Sequence, residues 1–319
     1  MHEARHRGAP RVPRGATSVG GCGGPFRGPP PSMTGGALAL VLAAAVLHAG
    51  WNALAKRGTD PLAFLALCSC VAAPLLLPLA APMLWHEGLP ARALPFVLGT
   101  IALHVVYFVA LGRAYSTGAY SIVYPIARGL GVALVPAGAY VLLDERLSPI
   151  GIAGIAFVVA GVLTLHQVGH RHAIATGAPL GAATLWAVVT GLSIASYSLL
   201  DKAGVARLHP VPYMLLMEAG CGLVLFPATL LTRPAAMRRE WSKNWRTILA
   251  VGAMSAAGYT LVLLAFRISK AGYVVAAREL SIVLSALIGT LWMGEGRVGP
   301  RLAAATIVLA GVACVALAR

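Results

Sequence analysis

Charged residues are scarce in this chain. Only 11 % of its 319 residues are Asp, Glu, Lys or Arg, whereas 58 % are hydrophobic, and the mean hydropathy is +0.79. An ordinary soluble domain carries about a quarter charged residues, because they cover its water-facing surface. The deficit excludes a soluble enzyme and indicates a polytopic membrane protein. At about 20 apolar residues per helical span, the chain has room for roughly ten spans and no sizeable soluble domain.

Acidic residues are scarcer still, with 10 Asp plus Glu against 25 Lys plus Arg and a net charge of +15. The basic residues are scattered through short connections, whereas nucleic-acid binding requires them in one patch or stripe. Cations at the ends of apolar segments suit anionic lipid headgroups. We therefore expect membrane lipid as a partner and no nucleic acid. Because the basic residues are nearly balanced between the two sides, they do not fix the orientation of the chain.

Motifs for nucleotide binding or intramembrane transfer chemistry are missing. The sequence has no phosphate-binding loop and no paired acids at DxxxD spacing, which excludes an ATP-driven pump and argues against a transferase. Its five cysteines have no His or Cys neighbours at metal-ligand spacing. We therefore expect no catalytic residues, no metal and no cofactor.

Residues 1–33 differ in composition from the rest. This basic segment is dominated by Gly, Pro and Arg, and such a composition buries too little apolar surface to become ordered. It is interpreted as a disordered tail or, since Met33 directly precedes the first apolar run, as a segment that is not translated.

From Met33 onward, apolar runs alternate with short breaks. Each run is about 18–26 residues long, as a tilted membrane-spanning helix requires. The predicted helices cover about 35–56, 61–82, 94–112, 118–143, 148–167, 179–200, 210–231, 247–266, 271–293 and 299–318.

The two halves of the chain repeat. Arg128, Glu145 and Gly161 recur as Arg278, Glu295 and Gly311, and the stripe Ala156, Ala160, Thr164 recurs as Thr306, Ala310, Cys314. These small residues suit close helix packing. The repeats are 34–167 and 179–319, joined by a connection at 168–178. A five-helix unit crosses the membrane an odd number of times, so its second copy is inverted. We predict an all-α polytopic membrane protein with ten transmembrane helices in a 5+5 inverted repeat, an arrangement typical of secondary transporters with a midplane site.

Several motifs in this order resemble those of the EamA-like family of the drug/metabolite transporter superfamily. They are His48-Ala-Gly-Trp51-Asn52-Ala-Leu-Ala-Lys56, then Ala119-Tyr-Ser-Ile-Val-Tyr124-Pro125-Ile-Ala-Arg128-Gly129, then Asp144-Glu145-Arg-Leu-Ser, with a looser copy in Ala271-Gly-Tyr273, Arg278-Glu279 and Gly294-Glu295. The resemblance covers about 34–318. It implies ten helices, cytoplasmic termini and alternating-access transport of small metabolites, often outward. We expect a multi-pass protein of the plasma membrane, specifically a bacterial inner membrane.

Arg128 and Arg278 are the strongest candidates for site residues. Placing an ionisable side chain at bilayer depth is unfavourable by about 2.5–3.5 kcal/mol, so such a residue is expected to have a function or a partner. Ser121 and Tyr124 share the face of Arg128 at helical spacing. The guanidinium fork can grip an anionic substrate. The alternative is that each arginine is neutralised internally, for instance by Glu218 or Glu279.

His48, Trp51 and Asn52 form one face of the first helix and are predicted to contact substrate. His48 is also a candidate proton carrier. The alternative is that it only hydrogen-bonds a neighbour.

Four residues are candidates for proton coupling: Glu218, His48, His104 and Glu279. Glu218 is the best carboxylate among them, because burial of a Glu favours its protonated form. Its alternative role is the counter-ion of an arginine. His104 lies one helical turn from Tyr107.

Two pairs of residues at matching positions of the two repeats have structural interpretations. Lys56 and Lys202 end the first and sixth helices and are predicted to snorkel to headgroups. Glu145 and Glu295 are predicted to accept backbone N–H groups at the start of the next helix.

Together these features predict a secondary transporter of a small metabolite, an exporter of an anionic or amphiphilic compound. The alternative is a flippase, or a flippase component, for a phosphate-bearing lipid-linked amphiphile. The sequence leaves open whether the protein is a monomer or a homodimer.

Overall fold

The computed structural model describes residues 32–55, 58–117, 120–175, 181–284 and 298–318. Every regular element in these ranges is a helix. The α-helices are α1 (Gly35–Ala55), α2 (Pro61–Glu87), α3 (Leu94–Thr117), α4 (Tyr120–Leu143), α5 (Pro149–Ala175), α6 (Gly181–Gly204), α7 (Pro210–Thr232), α8 (Pro234–Ile268), the short α9 (Ala271–Arg278) and α10 (Val298–Leu317). A single-turn 3-10 helix, Ala91–Ala93, precedes α3. After a turn at Glu279, residues 280–284 are helical again.

Seven of these helices are long and apolar enough to cross a membrane: α1 to α4 and α6 to α8. The apolar helical parts of α5 and α10, at Pro149–Thr164 and Leu302–Leu317, are shorter. The described residues thus form an almost entirely helical protein with seven candidate spans. The full count of ten spans in two fives stays a prediction.

Local signals explain where several helices begin and end. Asp60 caps α2 by accepting a hydrogen bond from the Ala63 amide at 3.0 Å, and Pro61 occupies the first helical position, where its missing N–H is harmless. His209 and Pro210 open α7 in the same way. Gly88, with φ of +70°, ends α2 in a backbone conformation that disfavours other residues.

The packing follows the internal repeat. Helix α2 packs on α7 and α5 packs on α10, which are equivalent positions in the two halves. The contact between α1 and α8 is matched by the contact between α6 and α3, and α2–α8 by α7–α3. Exchanging the two sets of five helices therefore maps these contacts onto one another, which is the pattern that a two-fold repeat produces.

The small residues that bring α5 and α10 together differ from those expected. The predicted stripe residues Ala156, Ala160, Thr306 and Ala310 are exposed on the outside of the helix pair. Glycines make the contact instead: a Cβ added to Gly154 would lie 2.7 Å from the Gly311 carbonyl oxygen, and one added to Gly311 would lie 2.6 Å from the Gly154 carbonyl oxygen. A stripe of small apolar residues can face lipid as well as another helix. The prediction that this stripe forms the packing face of the two helices was therefore wrong.

Two predicted connections are partly helical. The stretch 232–246 was predicted as a connection, but α8 begins at Pro234 and continues through 35 residues. Its first turns are amphipathic, with Ala236 and Met237 packed against Ala63 and Phe64 of α2. Likewise α5 continues to Ala175, into the predicted connection at 168–178.

Candidate functional site

A central cavity lies among eight helices, α1 to α4 and α6 to α9. The space open to the centres of water molecules is about 70 Å³, which is room for several waters. Its lining combines aromatic rings and methionines with the polar side chains of His48, Ser69, His104, Arg128, Tyr197, Glu218, Ser255, Tyr259 and Arg278. Residues from both halves of the chain therefore share one buried polar space.

Arg128 is paired within the protein. Its Nη2 lies 2.6 Å from Oε1 of Glu279 and its Nε donates to Oε2 at 3.0 Å. This two-pronged contact joins α4 of the first half to the turn after α9 of the second. Of the two interpretations of Arg128, the contacts are those of internal neutralisation by Glu279, although the residue also lines the cavity.

Arg278, at the repeat-equivalent position of α9, has different surroundings. The residue is 3 % exposed and lines the cavity. Its guanidinium hydrogen-bonds the side chain of Tyr197, yet Nε and Nη2 have no hydrogen-bond partner among the described residues. A buried N–H group without an acceptor is destabilising, so a hydrogen-bond acceptor beside Nε and Nη2 would be favourable.

Glu218 on α7 is the acidic side chain that lines this cavity. It is buried and bonded to the Ser69 side chain, and its Oε2 has no hydrogen-bond partner in the described part of the chain. Within the same residues Glu218 makes no ion pair, so the predicted counter-ion role goes to Glu279 instead.

Aromatic rings stack along one wall of the cavity. The His104 ring lies parallel to Tyr197, with centroids 4.1 Å apart, and edge-on to Tyr259 and Tyr107. His104 Nδ1 lies 2.9 Å from the carbonyl oxygen of Thr100 and 3.0 Å from its hydroxyl oxygen, so Thr100 fixes the orientation of the ring.

The predicted face of α1 forms as a local hydrogen-bonded group. Trp51 donates its indole N–H to His48 Nδ1 at 3.1 Å, and both side chains line the cavity. The Asn52 side chain donates to the His48 carbonyl oxygen at 2.7 Å. Asn52 does not line the cavity, so the structure brings two of the three predicted residues to it.

The two remaining predicted contacts belong to α4. Ser121 and Tyr124 lie in its first turns, before Arg128, but their side chains lie outside the described part of the structure.

Asp201 is a buried acid that sequence reasoning missed. Its two carboxylate oxygens accept hydrogen bonds from Tyr213 at 2.8 Å and from Tyr259 at 2.6 Å. Tyr259 lines the cavity, so Asp201 fixes the position of part of the wall. In the sequence, Asp201 directly follows the predicted sixth helix. An acid at that position is typical of the start of a water-exposed connection, so it did not stand out as a site residue.

Lys202 and Glu145 form a buried cluster, and the prediction that Lys202 snorkels to headgroups is wrong. Its Nζ lies 3.5 Å from Glu145 Oε1 and bonds the carbonyl oxygens of Phe266 and Ser269. Glu145 Oε2 accepts the backbone N–H of Ala271 at 2.7 Å. Glu145 thus caps a helix start, as expected, but that of α9 rather than of the following α5. Burial raises the pKa of Glu145, and the nearby Lys202 ammonium opposes this shift. Their repeat equivalents Lys56 and Glu295 lie outside the described residues.

Comparison with protein families identifies the second half of the chain. Residues 181–317 match the model of the EamA-like transporter family. This half of the chain is similar to an EamA-like transporter domain. The EamA-like half supplies Arg278, Glu279, Glu218 and Asp201, and hence most of the charged groups at or beside the cavity. Proteins of this family are membrane transporters of small substrates and not enzymes.

Comparison with solved structures supports the fold over most of the chain. One crystal structure superimposes with a TM-score of 0.67, covering 88 % of this chain and 97 % of the other at 17 % sequence identity. At that identity the likeness concerns the fold alone. No curated protein sequence matches the chain significantly. The seven long apolar helices are those of a multi-pass membrane protein, and the second half of the chain is similar to a family of transporters.

Proposed function

We propose that this protein is a secondary transporter that exports a small anionic metabolite through the central cavity by alternating access. The observation that carries the proposal is Arg278, a buried cavity-lining cation whose Nε and Nη2 donate to no described residue. An arginine fork that faces a small cavity favours a carboxylate, phosphate or phosphonate. The outward direction rests on the resemblance of the sequence motifs to the EamA-like family, which implies transport that is often outward.

The rest of the cavity suits an anion with an apolar body. Trp51, Tyr107, Phe108 and the methionines Met214 and Met217 surround the polar groups, and aromatic and thioether surfaces pack against apolar substrate atoms. Arg128 lines the same cavity, but its charge is already balanced by Glu279.

Glu218 is the proposed proton carrier of the cycle. Its carboxyl is buried, has an oxygen free of described hydrogen-bond partners, and lies in the same cavity as Arg278. Protonation of Glu218 and binding of an anion at Arg278 then influence each other electrostatically. We expect Glu218→Gln to flatten the pH dependence of export, whereas an unchanged pH profile would remove Glu218 from the coupling.

Alternating access requires contacts between the two halves to break and re-form. The Glu145–Lys202 cluster is such a contact, because it joins the connection after α4 to the end of α6 and the start of α9. In the proposed cycle it closes one end of the pathway and opens when the halves rock. The family match lends no support to the flippase alternative.

The experiment compares metabolites released by cells that produce the intact protein, Arg278→Gln, or Arg267→Gln at matched membrane abundance. Arg267 is an exposed arginine in the last turn of α8 and serves as the matched control. We expect one anionic species to accumulate outside cells with the intact protein and the control, and not with Arg278→Gln. Equal release by all three and by empty cells would contradict export, and equal release by the intact protein and Arg278→Gln would contradict the anion site.

A further inference from the structure

The first turns of α8 extend beyond what the bilayer requires. The helix is 35 residues long, whereas about 20 residues cross the hydrocarbon core. Its first part, 234–247, exposes four cations and two indoles: Arg238, Arg239, Lys243, Arg246, Trp241 and Trp245. We call this surface the α8 basic face.

The extension is held in place on its opposite side. Glu240 is buried and accepts the backbone N–H groups of Thr59 at 2.7 Å and Asp60 at 2.8 Å, and Asn244 donates to its other oxygen at 2.8 Å. Arg233 is bonded to Asp60 at 2.9 Å. The α8 basic face is therefore anchored to the connection before α2 and presented in a fixed direction.

The basic face continues the lipid-facing stripe of the same helix. Trp245, Leu249, Ala253 and Ala257 are exposed at intervals of four residues, which places them along one side of α8. Trp241 lies one turn before Trp245. The two indoles thus stand at the polar end of a lipid-facing stripe, the level at which tryptophan side chains collect in membranes.

The charge of this face is not compensated by its own segment. Glu240 is the one acid between 234 and 247, and its oxygens are already bonded. None of the four cations makes an ion pair within the described residues; Arg246 lies over the Trp245 ring, 5.2 Å from its centroid. Arginine forks and ammonium groups at headgroup level bind phosphate oxygens.

We infer that the α8 basic face is a binding site for the phosphate headgroups of anionic phospholipids. Two observations favour a lipid over a soluble acidic partner: the face is continuous with the lipid-facing stripe, and its cations alternate with indoles that reach the interface. Binding there would attach the rigid first turns of α8, and the connection before α2 that they hold, to one leaflet.

The test measures binding of dioleoylphosphatidylglycerol and dioleoylphosphatidylcholine to the purified full chain in a neutral detergent, by native mass spectrometry across a lipid titration. The variant replaces all four cations: Arg238→Gln, Arg239→Gln, Lys243→Gln and Arg246→Gln. The matched control removes four exposed arginines at the opposite helix ends: Arg92→Gln, Arg146→Gln, Arg207→Gln and Arg267→Gln. We expect the variant to bind phosphatidylglycerol at least about tenfold more weakly, with phosphatidylcholine unaffected and the control unchanged.

Three outcomes would overturn the inference. The first is equal binding of the two lipids by the intact protein, and the second is an equal loss of phosphatidylglycerol binding in the variant and the control. The third is full competition by the free headgroup glycerophosphoglycerol at the concentration of the lipid, which would indicate a site for soluble phosphates. A second variant, Trp241→Ala with Trp245→Ala, keeps all four charges. We expect it to bind phosphatidylglycerol severalfold more weakly, and undiminished binding would contradict the interfacial role of the indoles.

Discussion

At the scale of single residues, the two repeat-equivalent arginines differ in what holds them. Arg128 makes a two-pronged ion pair with Glu279, and both side chains are buried. Two guanidinium nitrogens of Arg278, Nε and Nη2, have no hydrogen-bond partner among the described residues. Removing one member of a buried ion pair leaves the other charge buried without a counter-ion, which is destabilising. Removing a cation that has few partners leaves few groups without a partner. The same substitution at the two positions should therefore have different effects.

Arg128→Gln is expected to lower the free energy of unfolding by about 3–5 kcal/mol, because it leaves the Glu279 carboxylate buried without its counter-ion. Arg278→Gln is expected to leave stability unchanged or to raise it. Apparent melting temperatures of the purified proteins in detergent test this difference. Similar losses for the two variants would show that Arg278 is as firmly paired as Arg128.

Asp201 is expected to hold Tyr259 against the cavity. Asp201→Leu removes both acceptor oxygens, so the buried Tyr259 hydroxyl loses its partner at a cost of about 1–3 kcal/mol, whereas Tyr213 keeps the Phe96 carbonyl oxygen at 3.2 Å. In a Tyr259→Phe background no hydroxyl is left without an acceptor, and the same substitution should cost less. A double-mutant cycle measures this coupling, and strictly additive losses would argue against the shared acceptor.

At the scale of secondary structure, the sequence predicted most helix positions and some helix faces. The ends of α1, α6 and α7 lie close to the predicted ends because Pro, Gly and charge mark them. Burial was harder to predict, because a residue that faces lipid and a residue that faces another helix are both apolar. Ala156 and Ala160 were therefore assigned to the packed side, which Gly154 and Gly161 occupy.

Gly154→Ala is expected to destabilise the α5–α10 contact by about 1–3 kcal/mol, because the added Cβ meets backbone atoms that have little room to move. Ala156→Leu, on the exposed side of the same helix, is the control and should be nearly neutral. Thermal unfolding of both variants distinguishes the two faces. If Ala156→Leu proved the more damaging substitution, the assignment of faces would be wrong.

At the scale of the whole molecule, charges far apart in sequence meet between the two halves. Arg128 and Glu279 are separated by 151 residues, and Glu145 and Ala271 by 126. Sequence reasoning proposed Glu279 among the possible counter-ions from its depth in a helix, but the partner choice depends on how the halves pack. Asp201 went unnoticed because its two tyrosines come from α7 and α8. The cavity is thus a product of the repeat, with both halves needed for its polar lining.

The central claim is that Arg278 carries the transported anion. The most direct measurement is efflux of the metabolite found in the cellular comparison from proteoliposomes containing the intact protein, Arg278→Gln, Arg278→Lys or the control Arg267→Gln. We predict that Arg278→Gln slows efflux at least about tenfold, since a lost charged hydrogen bond is worth about 1.5–3 kcal/mol. Arg278→Lys should be intermediate and the control should match the intact protein. Efflux by Arg278→Gln at the rate of the intact protein would contradict the claim.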